Sequence, residues 1–147
     1  MTEKREEFLN FPNENVYGHT KKLKFILDII AAKKQETKKI VRVLDFGCGN
    51  GSAISKYIIN MNVNYVGIDI HEPSLNYARD KYTTKNAQFF SSIPENSIFD
   101  IIIYADFLEH VIDPENYLKK NTNYLANNGV IIASVPNKYG PYEIEQK

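Results

Sequence analysis

Three glycines stand at alternate positions, Gly47, Gly49 and Gly51, directly after a short apolar run. Without side chains they let the backbone turn tightly and allow a ligand to approach it closely. Their spacing differs from the dinucleotide pattern G-x-G-x-x-G, whose third glycine would fall on Ser52, and the lysine of a phosphate-binding P-loop is missing. Asp45, ahead of the first glycine, disfavours a phosphate and favours a cationic ligand group. The loop therefore predicts another kind of ligand site and argues against a nicotinamide-dependent oxidoreductase.

A second acid, Asp69, ends the next apolar run about 20 residues after the glycine loop, where sheets of this kind place the acid that accepts ribose hydroxyls. The alternative is a cap for the helix that begins near Pro73, although His71 and Glu72 could serve equally well in that role. We predict that Asp69 binds a ribose and that Ile70 borders the attached base.

A histidine beside an acid, Glu109-His110, follows the fourth apolar run. Imidazole has an ordinary pKa of about 6.5, so His110 can take a proton from an oxygen or nitrogen nucleophile near neutrality. Packing or ligand positioning is the alternative, and the pattern leaves both open. A metal site needs several ligands close together, and no histidine follows His110, so we expect no metal here.

The 147-residue chain has the composition of an ordinary globular domain, with 43% hydrophobic and 24% charged residues. Lys plus Arg and Asp plus Glu number 18 each, so the net charge is zero, and nothing favours a nucleic-acid partner. The single cysteine excludes an internal disulfide, and no apolar stretch approaches the ~20 residues of a membrane span. We expect one domain, residues 1–147, with a cytoplasmic location.

Polar and apolar residues alternate in a way that predicts helices and strands in turn. Apolar residues recur at helical spacing between Leu23 and Ile30, with Thr20 as a cap and lysines on a solvated opposite face. The later pattern predicts a doubly wound, mainly parallel α/β sheet with helices on both faces, whose ligands bind beyond the carboxyl ends of the strands. Residues 1–39 form a lead and helix, and the core, 40–137, contains predicted strands at 40–46, 64–70, 87–90, 99–104 and 130–135 and predicted helices at 52–60, 73–82 and 113–127.

The run Asp45-Phe46-Gly47-Cys48-Gly49-Asn50-Gly51 resembles the first motif of the class I S-adenosylmethionine-dependent methyltransferases. Residues 99–111 resemble the fourth-strand segment of the same family, and the resemblance covers about residues 41–137. It implies that S-adenosylmethionine is the cofactor, that the glycine loop packs against it and that Asp45 helps to hold its amino-acid end. The other contacts that it implies are Asp69 and Ile70 at the adenosine, Ala105, Asp106 and Phe107 near the methyl group, and Tyr17 or His19 from the lead, for which an ordered tail is the alternative. Near the adenine our own hypothesis is a hydrogen bond from Ser92 and a backbone amide from Ile93.

Two features depart from the family pattern. Members usually show an acid near the adenine after the third strand, where this chain reads Ser91-Ser92-Ile93. Complete members also carry a C-terminal antiparallel hairpin, and only 137–147 follows the last predicted strand, so we expect a fragment or a minimal member. The resemblance implies methyl transfer to an oxygen, nitrogen or carbon atom of a small-molecule acceptor. The alternative is a non-catalytic or incomplete S-adenosylmethionine-binding module that acts with a partner or a further domain.

Overall fold

Strands and helices alternate along the chain, as the hydrophobic pattern predicts. The structure is a computed structural model that describes residues 16–135. Residues 1–15, which belong to the predicted lead, and residues 136–147 lie outside the described part. In chain order the elements are α1 (Val16–Thr37), β1 (Arg42–Phe46), α2 (Ser55–Ile59), β2 (Asn64–Ile68), α3 (Glu72–Tyr82), β3 (Ala87–Phe90), β4 (Phe99–Ala105), a 3-10 turn (Leu108–His110), α4 (Pro114–Asn121), a second 3-10 turn (Thr122–Tyr124) and β5 (Leu125–Ser134).

The five strands pair in the order β3-β2-β1-β4-β5, and every pair is parallel. The strand order therefore reverses between β1 and β4, which confirms the predicted doubly wound sheet and marks the usual ligand position of such sheets. Phe46, the last residue of β1, lies opposite Ile68 of β2 and Tyr104 of β4. The segments that follow these three strands consequently emerge side by side at one edge.

Each face of the sheet carries its own hydrophobic cluster. One cluster joins α1, α2 and α3 to the sheet through buried residues such as Ile26, Ile58 and Leu75. The other lies beneath α4 and the two 3-10 turns and includes Leu44 and Tyr104. Helices cover both faces, as predicted, because successive strand side chains point to opposite sides.

The lysines of α1 form only in part the solvated face that the sequence predicts, since Lys21 and Lys24 are exposed but others are not. The side chain of Lys33 is buried and donates to the carbonyl oxygen of Asn128 at 2.5 Å. Lys34 donates to the carbonyl oxygen of Met61, and Lys22 lies at the candidate site described below. The helix also begins before Thr20, so that residue is not its cap. The prediction failed for Lys22, Lys33 and Lys34 because each of them meets a partner far away in the sequence.

The chain between α4 and β5 differs from the predicted long helix ended by Asn127-Asn128-Gly129. α4 stops at Asn121, and β5 already begins at Leu125. Asn128 does have the left-handed backbone of a helix stop, with φ +64°, but it lies inside an irregularity of the strand. Phe99 pairs with Leu125 while Ile101 pairs with Val130, so three extra residues of β5 bulge out there.

Two smaller differences concern the first half of the core. α2 is shorter than the predicted helix, and Ala53 and Tyr57, expected to face inward, are exposed. α3 begins at Glu72, next to the predicted start, and Asp113 caps α4 as expected by accepting from the Asn116 amide at 3.1 Å. None of the helices in residues 16–135 is both long and apolar enough to cross a membrane.

Candidate functional site

The glycine loop is fixed to the end of β2 by its own backbone. The amides of Gly47 and Cys48 both donate to the carbonyl oxygen of Ile68, at 2.8 and 3.0 Å. Gly47 has φ +70°, and an added Cβ would lie 2.7 Å from the Phe107 ring, so packing there requires glycine. Gly49 has φ +58°, but its added Cβ would meet no atom of the described chain within 4 Å. The space beside Gly49 is therefore open to a ligand.

Asp69 presents a carboxylate that the backbone holds in place. One oxygen accepts from the Gly49 amide and the other from the His71 amide, both at 2.8 Å. Asp69 lies one residue beyond β2. Each carboxylate oxygen can accept more than one hydrogen bond, so both oxygens keep lone pairs for a ligand. The alternative role as a helix cap belongs to His71, whose Nδ1 accepts from the Ser74 amide at 3.3 Å.

A cavity of about 640 Å³ opens at this edge of the sheet, within the usual size of small-molecule sites. It brings together eight of the predicted site residues, namely Gly47, Asp69, Ile70, Ser92, Ile93, Asp106, Phe107 and His110. The remaining lining residues are Phe46, Ile68, Ser91, Val111, Tyr117 and Asn121. The titratable groups in this described lining are Asp69, Asp106, His110 and Tyr117. The lining contains neither lysine nor arginine.

Asp45 lies beneath the glycine loop rather than at the cavity surface. Its side chain is only 2% exposed and accepts a hydrogen bond of 2.7 Å from the Tyr65 hydroxyl. Because Tyr65 spends its one proton on Asp45, the Ser55 hydroxyl, 2.6 Å away, must donate to Tyr65. Burial raises the pKa of Asp45 to about 7, against the lowering effect of the Tyr65 hydrogen bond and together with the charge of Asp69. In this arrangement Asp45 has no surface on which a ligand could bind directly.

The remaining residues of the loop support its packing. Gly51 has φ +81°, and a Cβ there would approach the Tyr82 ring of α3 to 2.8 Å. The sulfur of Cys48 packs against Gly67, where an added Cβ would lie 2.9 Å from Sγ. Burial raises the pKa of the Cys48 thiol above its ordinary value, so this sulfur is a packing group. Ala105, half-buried at the end of β4, also lies outside the cavity lining.

His110 stands at the rim of the cavity, in the 3-10 turn after β4. Its side chain is 76% exposed, and Nε2 lies 3.9 Å from the carboxylate of Glu109. The His110 ring can therefore contact a second ligand that enters from solvent. At 3.9 Å the Glu109 carboxylate is too far away to fix the orientation of the ring by a hydrogen bond. Residues 16–135 contain no group of three or more His, Cys, Asp or Glu side chains placed to hold a metal. The side chain of Tyr17 lies outside the described part.

Asp106 and Lys22 form a charged pair beside the cavity that the sequence did not reveal. Lys22, on α1, makes an ion pair with the Asp106 carboxylate, 84 positions away in the chain. The Ser134 hydroxyl donates to the other oxygen of Asp106 at 2.8 Å. The sequence pattern does not distinguish Lys22 from the other lysines of α1. The contact depends on the fold, which brings α1 across the ends of β4 and β5.

An aromatic group forms the floor of the cavity. Phe46 stacks on Tyr104 with centroids 4.8 Å apart, and Phe107 and Tyr117 pack around them. Burial raises the pKa of Tyr104 to about 12. Among the described residues, Tyr104 Oη and Asn121 Nδ2 are buried without a hydrogen-bond partner. Tyr117 and Asn121 were not predicted as site residues, because helical spacing alone marks them only as the inner side of α4.

The chain matches a known family over most of its length. The model of the family described as "Methyltransferase domain" matches residues 37–146. The "Ubiquinone biosynthesis O-methyltransferase" of Pelagibacter ubique is 26% identical over 119 residues, which cover 77% of this chain and 49% of that protein. The "mRNA cap guanine-N(7) methyltransferase" of Schizosaccharomyces pombe is 28% identical over 116 residues, covering 66% and 32%. The chain thus spans at most about half the length of these relatives.

Solved structures share the fold. The plantazolicin methyltransferase BpumL in complex with SAH and a desmethylPZN analog has a TM-score of 0.69 at 23% identity, covering 88% of this chain and 51% of that one. The [4+2]-cyclase SpnF has a TM-score of 0.58 at 21% identity, covering 71% and 42%. At such identities the likeness shows the fold alone. The family match and the doubly wound sheet together lead to one assignment: this chain belongs to the class I S-adenosylmethionine-dependent methyltransferases.

Proposed function

We propose that this chain binds S-adenosylmethionine in the cavity at the carboxyl edge of the sheet and transfers its methyl group to an oxygen, nitrogen or carbon atom of a small-molecule acceptor. The observation that carries the proposal is the Asp69 carboxylate, held by two backbone amides directly beside the open space at Gly49. Two carboxylate oxygens held in place next to a glycine backbone can accept hydrogen bonds from the two hydroxyls of a ribose.

The residues present fit the other parts of this cofactor. Ile70, 92% exposed, and Ile93 are apolar cavity residues on which an adenine could lie, and Ser92 offers a hydroxyl beside them. Gly47 brings the backbone of the loop to the cavity wall. Asp45, Gly51 and Ala105 would support the loop from below. When bound, the cofactor supplies a methyl group already activated by a sulfonium, so the protein's task is mainly to position the acceptor in line with it.

His110 is our candidate for the group that takes a proton from the acceptor. Its exposed ring at the cavity rim can approach an incoming hydroxyl or amine, and an imidazole is suited to proton transfer near neutrality. The alternative role of His110, from the same place at the cavity rim, is to position the acceptor without proton transfer. The proposed contact of Tyr17 with the cofactor depends on a side chain outside the described part.

A small acceptor suits the charges of the cavity better than a nucleic acid. Binding of a phosphate backbone depends on lysine and arginine contacts, whereas the described cavity wall contributes Asp69 and Asp106 and neither of the basic types. The cap methyltransferase relative acts on mRNA, so RNA belongs among the acceptors to be tried. We retain a cytoplasmic location in this proposal because the single cysteine excludes internal disulfides.

A second function has its own support: a cofactor-binding module that turns nothing over by itself. The chain spans about half the length of its relatives. The same fold in a protein described as a [4+2]-cyclase means that the fold by itself does not specify methyl transfer. In this version a partner or a further domain completes the acceptor site.

Calorimetric titration with S-adenosylhomocysteine tests the shared part of both versions. We expect micromolar binding by the wild type and at least about a tenfold loss in Asp69→Ala, because hydrogen bonds to a charged group are lost. Asp80→Ala, which removes an exposed carboxylate from α3, is the matched control and should bind normally. A folded wild type that does not bind, or an Asp69→Ala variant that binds equally well, contradicts the proposal.

Transfer of a labelled methyl group then separates the enzyme from the module. We expect labelled product with at least one member of a panel of small phenols, amines and activated carbon acids, with short capped and uncapped RNAs included. Binding of the cofactor without turnover of any acceptor would favour the non-catalytic module.

A further inference from the structure

Asn121 is a buried polar side chain whose presence the fold alone does not explain. It is the last residue of α4 and only 7% exposed, a position at which an apolar residue ordinarily packs. Its Nδ2 has no hydrogen-bond partner among the described residues, so its amino group does not cap the end of the helix. An unpaired buried donor destabilises the folded chain. Asn121 does, however, line the candidate cavity.

A second unpaired group, the hydroxyl of Tyr104, lies close to the Asn121 amide. Burial raises the pKa of Tyr104 to about 12, against the lowering effect of Asn121, so the hydroxyl keeps its proton at neutral pH. Burial also raises the pKa of Tyr117, and Asn121 again opposes this rise. The Asn121 amide is thus near both hydroxyls, yet Tyr104 Oη and Asn121 Nδ2 both lack a hydrogen-bond partner in the described chain.

A rotation of the Asn121 amide can give both unpaired groups a partner. The last side-chain torsion of asparagine is soft, so its carbonyl oxygen and its amino group can exchange places at low cost. When Oδ1 turns towards Tyr104, the Tyr104 hydroxyl can donate to it. Nδ2 then turns towards the cavity that Asn121 lines and needs an acceptor atom there. A ligand that supplies this atom completes the hydrogen bonding of both residues.

The surroundings of this amide limit the kind of ligand. Tyr117 lies one turn before it on α4, and the ring centroids of Phe46 and Phe107 are 5.8 and 5.6 Å from that of Tyr117. Aromatic walls of this kind favour a flat ring. The described lining contributes Asp69 and Asp106 but neither lysine nor arginine, so a carboxylate or phosphate would have no counter-charge there. The partner of the amide is therefore expected to be an uncharged oxygen.

Resting on the proposed function, we infer that Asn121 selects the acceptor by donating from Nδ2 to a carbonyl oxygen of an uncharged aromatic ring. The ring packs against Phe107 and Tyr117, and Tyr104 is a positioning residue that holds the amide in the required orientation. The nucleophilic hydroxyl or amine of the acceptor lies towards the cavity rim, where His110 stands. The substrate class is accordingly a phenol or aromatic amine that carries a carbonyl group.

Calorimetric binding of three phenols to the chain saturated with S-adenosylhomocysteine tests this inference. 4-Hydroxyacetophenone carries the carbonyl oxygen, 4-ethylphenol has a similar shape without it, and 4-hydroxybenzoate has a carboxylate in its place. Asn121→Leu keeps the size of the side chain and removes the donor, and Tyr104→Phe removes only the hydroxyl. Asn116→Leu is the matched control, because Asn116 is an exposed residue of the same helix.

We expect the wild type to bind 4-hydroxyacetophenone about tenfold more tightly than 4-ethylphenol, as for one buried hydrogen bond. 4-Hydroxybenzoate should bind no better than 4-ethylphenol. In Asn121→Leu the affinities for 4-hydroxyacetophenone and 4-ethylphenol should differ by less than about twofold, and Tyr104→Phe should show an intermediate preference. Asn116→Leu should keep the preference of the wild type. Every variant should bind S-adenosylhomocysteine within about twofold of the wild type.

The side-chain amide protons of Asn121 provide a second measurement that needs no variant. In the NMR spectrum of the labelled wild type with S-adenosylhomocysteine, 4-hydroxyacetophenone should shift one of these protons downfield, because that proton enters a hydrogen bond. 4-Ethylphenol should not shift it in this way. Should Asn121→Leu fail to fold, as judged by circular dichroism, this measurement decides: equal shifts with both phenols would contradict the assignment.

A carbonyl preference that persists in Asn121→Leu, or tighter binding of 4-hydroxybenzoate than of 4-hydroxyacetophenone, would overturn the inference. Binding of none of the phenols by a chain that binds S-adenosylhomocysteine would overturn it as well and leave the proposed function standing. Equal losses of S-adenosylhomocysteine and phenol affinity in Asn121→Leu would show that the residue serves the cofactor or the packing instead. A wild type that does not bind S-adenosylhomocysteine contradicts both proposals together.

Discussion

At the scale of single residues, two aspartates near the ends of neighbouring strands acquire different surroundings. Asp69 accepts two backbone amides and lines the cavity, whereas Asp45 is enclosed with Tyr65 and Ser55. Both could be singled out from the sequence because each stands beside a strand end near the glycine loop. The burial of Asp45 could not, since its partner is a tyrosine of β2 that the motif does not contain.

The burial of Asp45 predicts an unusual dependence of stability on pH. Its pKa of about 7 in the folded protein exceeds the ordinary value near 4. Between these values the folded protein keeps a proton that the unfolded chain has lost, so the free energy of unfolding falls as the pH rises and then levels off above pH 7. Asp45→Asn removes this term. We expect urea unfolding to show that the variant gains about 2 kcal/mol relative to wild type between pH 5 and pH 8.

Asp80→Asn, an exposed substitution, provides the control for general charge effects. A difference in unfolding free energy between wild type and Asp45→Asn that is the same at both pH values would contradict the assigned surroundings of Asp45.

Two glycines of the same loop should respond differently to alanine. Gly47→Ala places a methyl group against the Phe107 ring at a positive φ, and we expect a destabilisation of about 1–3 kcal/mol in urea unfolding. Gly49→Ala meets no atom of the described chain within 4 Å and should cost only about 1 kcal/mol. The new methyl group nevertheless occupies the proposed ligand space, so binding of S-adenosylhomocysteine should weaken strongly. Normal affinity in Gly49→Ala would place the ligand elsewhere.

At the scale of elements, the sequence pattern predicted correctly those strands whose ends are determined by neighbouring residues in the chain. β1 to β4 were predicted within two residues at each end because apolar runs and turn residues bound them. The start of β5 was not, because a left-handed Asn128 suits a helix stop as well as a bulge, and pairing with β4 decides between them. Lys22, Lys33 and Lys34 of α1 were misassigned for the same reason, since their partners lie far away in the sequence.

The start of β4 is tied to β1 by one fork-shaped contact. Arg42 donates to both oxygens of Asp100, at 3.0 and 2.9 Å, and its amide donates at 2.9 Å. Partial burial of Asp100 opposes ionisation, but the bonds from Arg42 outweigh it and hold the pKa of Asp100 below its ordinary value. Asp100→Ala should therefore lower the free energy of unfolding at pH 7 by about 1–2 kcal/mol, a figure reduced by the exposure of Arg42.

The contribution of Asp100 is present above the ordinary Asp pKa near 4 and is lost as the pH falls through its lower value in the folded protein. The difference between wild type and Asp100→Ala should accordingly shrink in acid. Arg42→Lys keeps the charge but not the fork and should show a smaller loss. A pH-independent difference would mean that the charged contact contributes nothing.

At the scale of the whole molecule, the reversal of strand order gathers the candidate site from the ends of four elements. The glycine loop follows β1, Asp69 follows β2, the serines follow β3 and Asp106 follows β4. This collection could be predicted, because parallel strands of a doubly wound sheet end at one edge. The contributions of α1 and α4 could not, because they depend on how helices lie across the sheet.

A second, more open cleft of about 410 Å³ lies at the opposite edge, near Arg42, Lys85 and Phe99. It offers a direct comparison with the candidate site. Titration of the labelled wild-type chain with S-adenosylhomocysteine, followed by amide NMR, therefore tests the central claim most directly. We predict saturable shifts of the amides of Gly49 and His71, which donate to Asp69, with the amide of Lys85 unaffected. Saturable shifts centred on Lys85, or none at all, would contradict it.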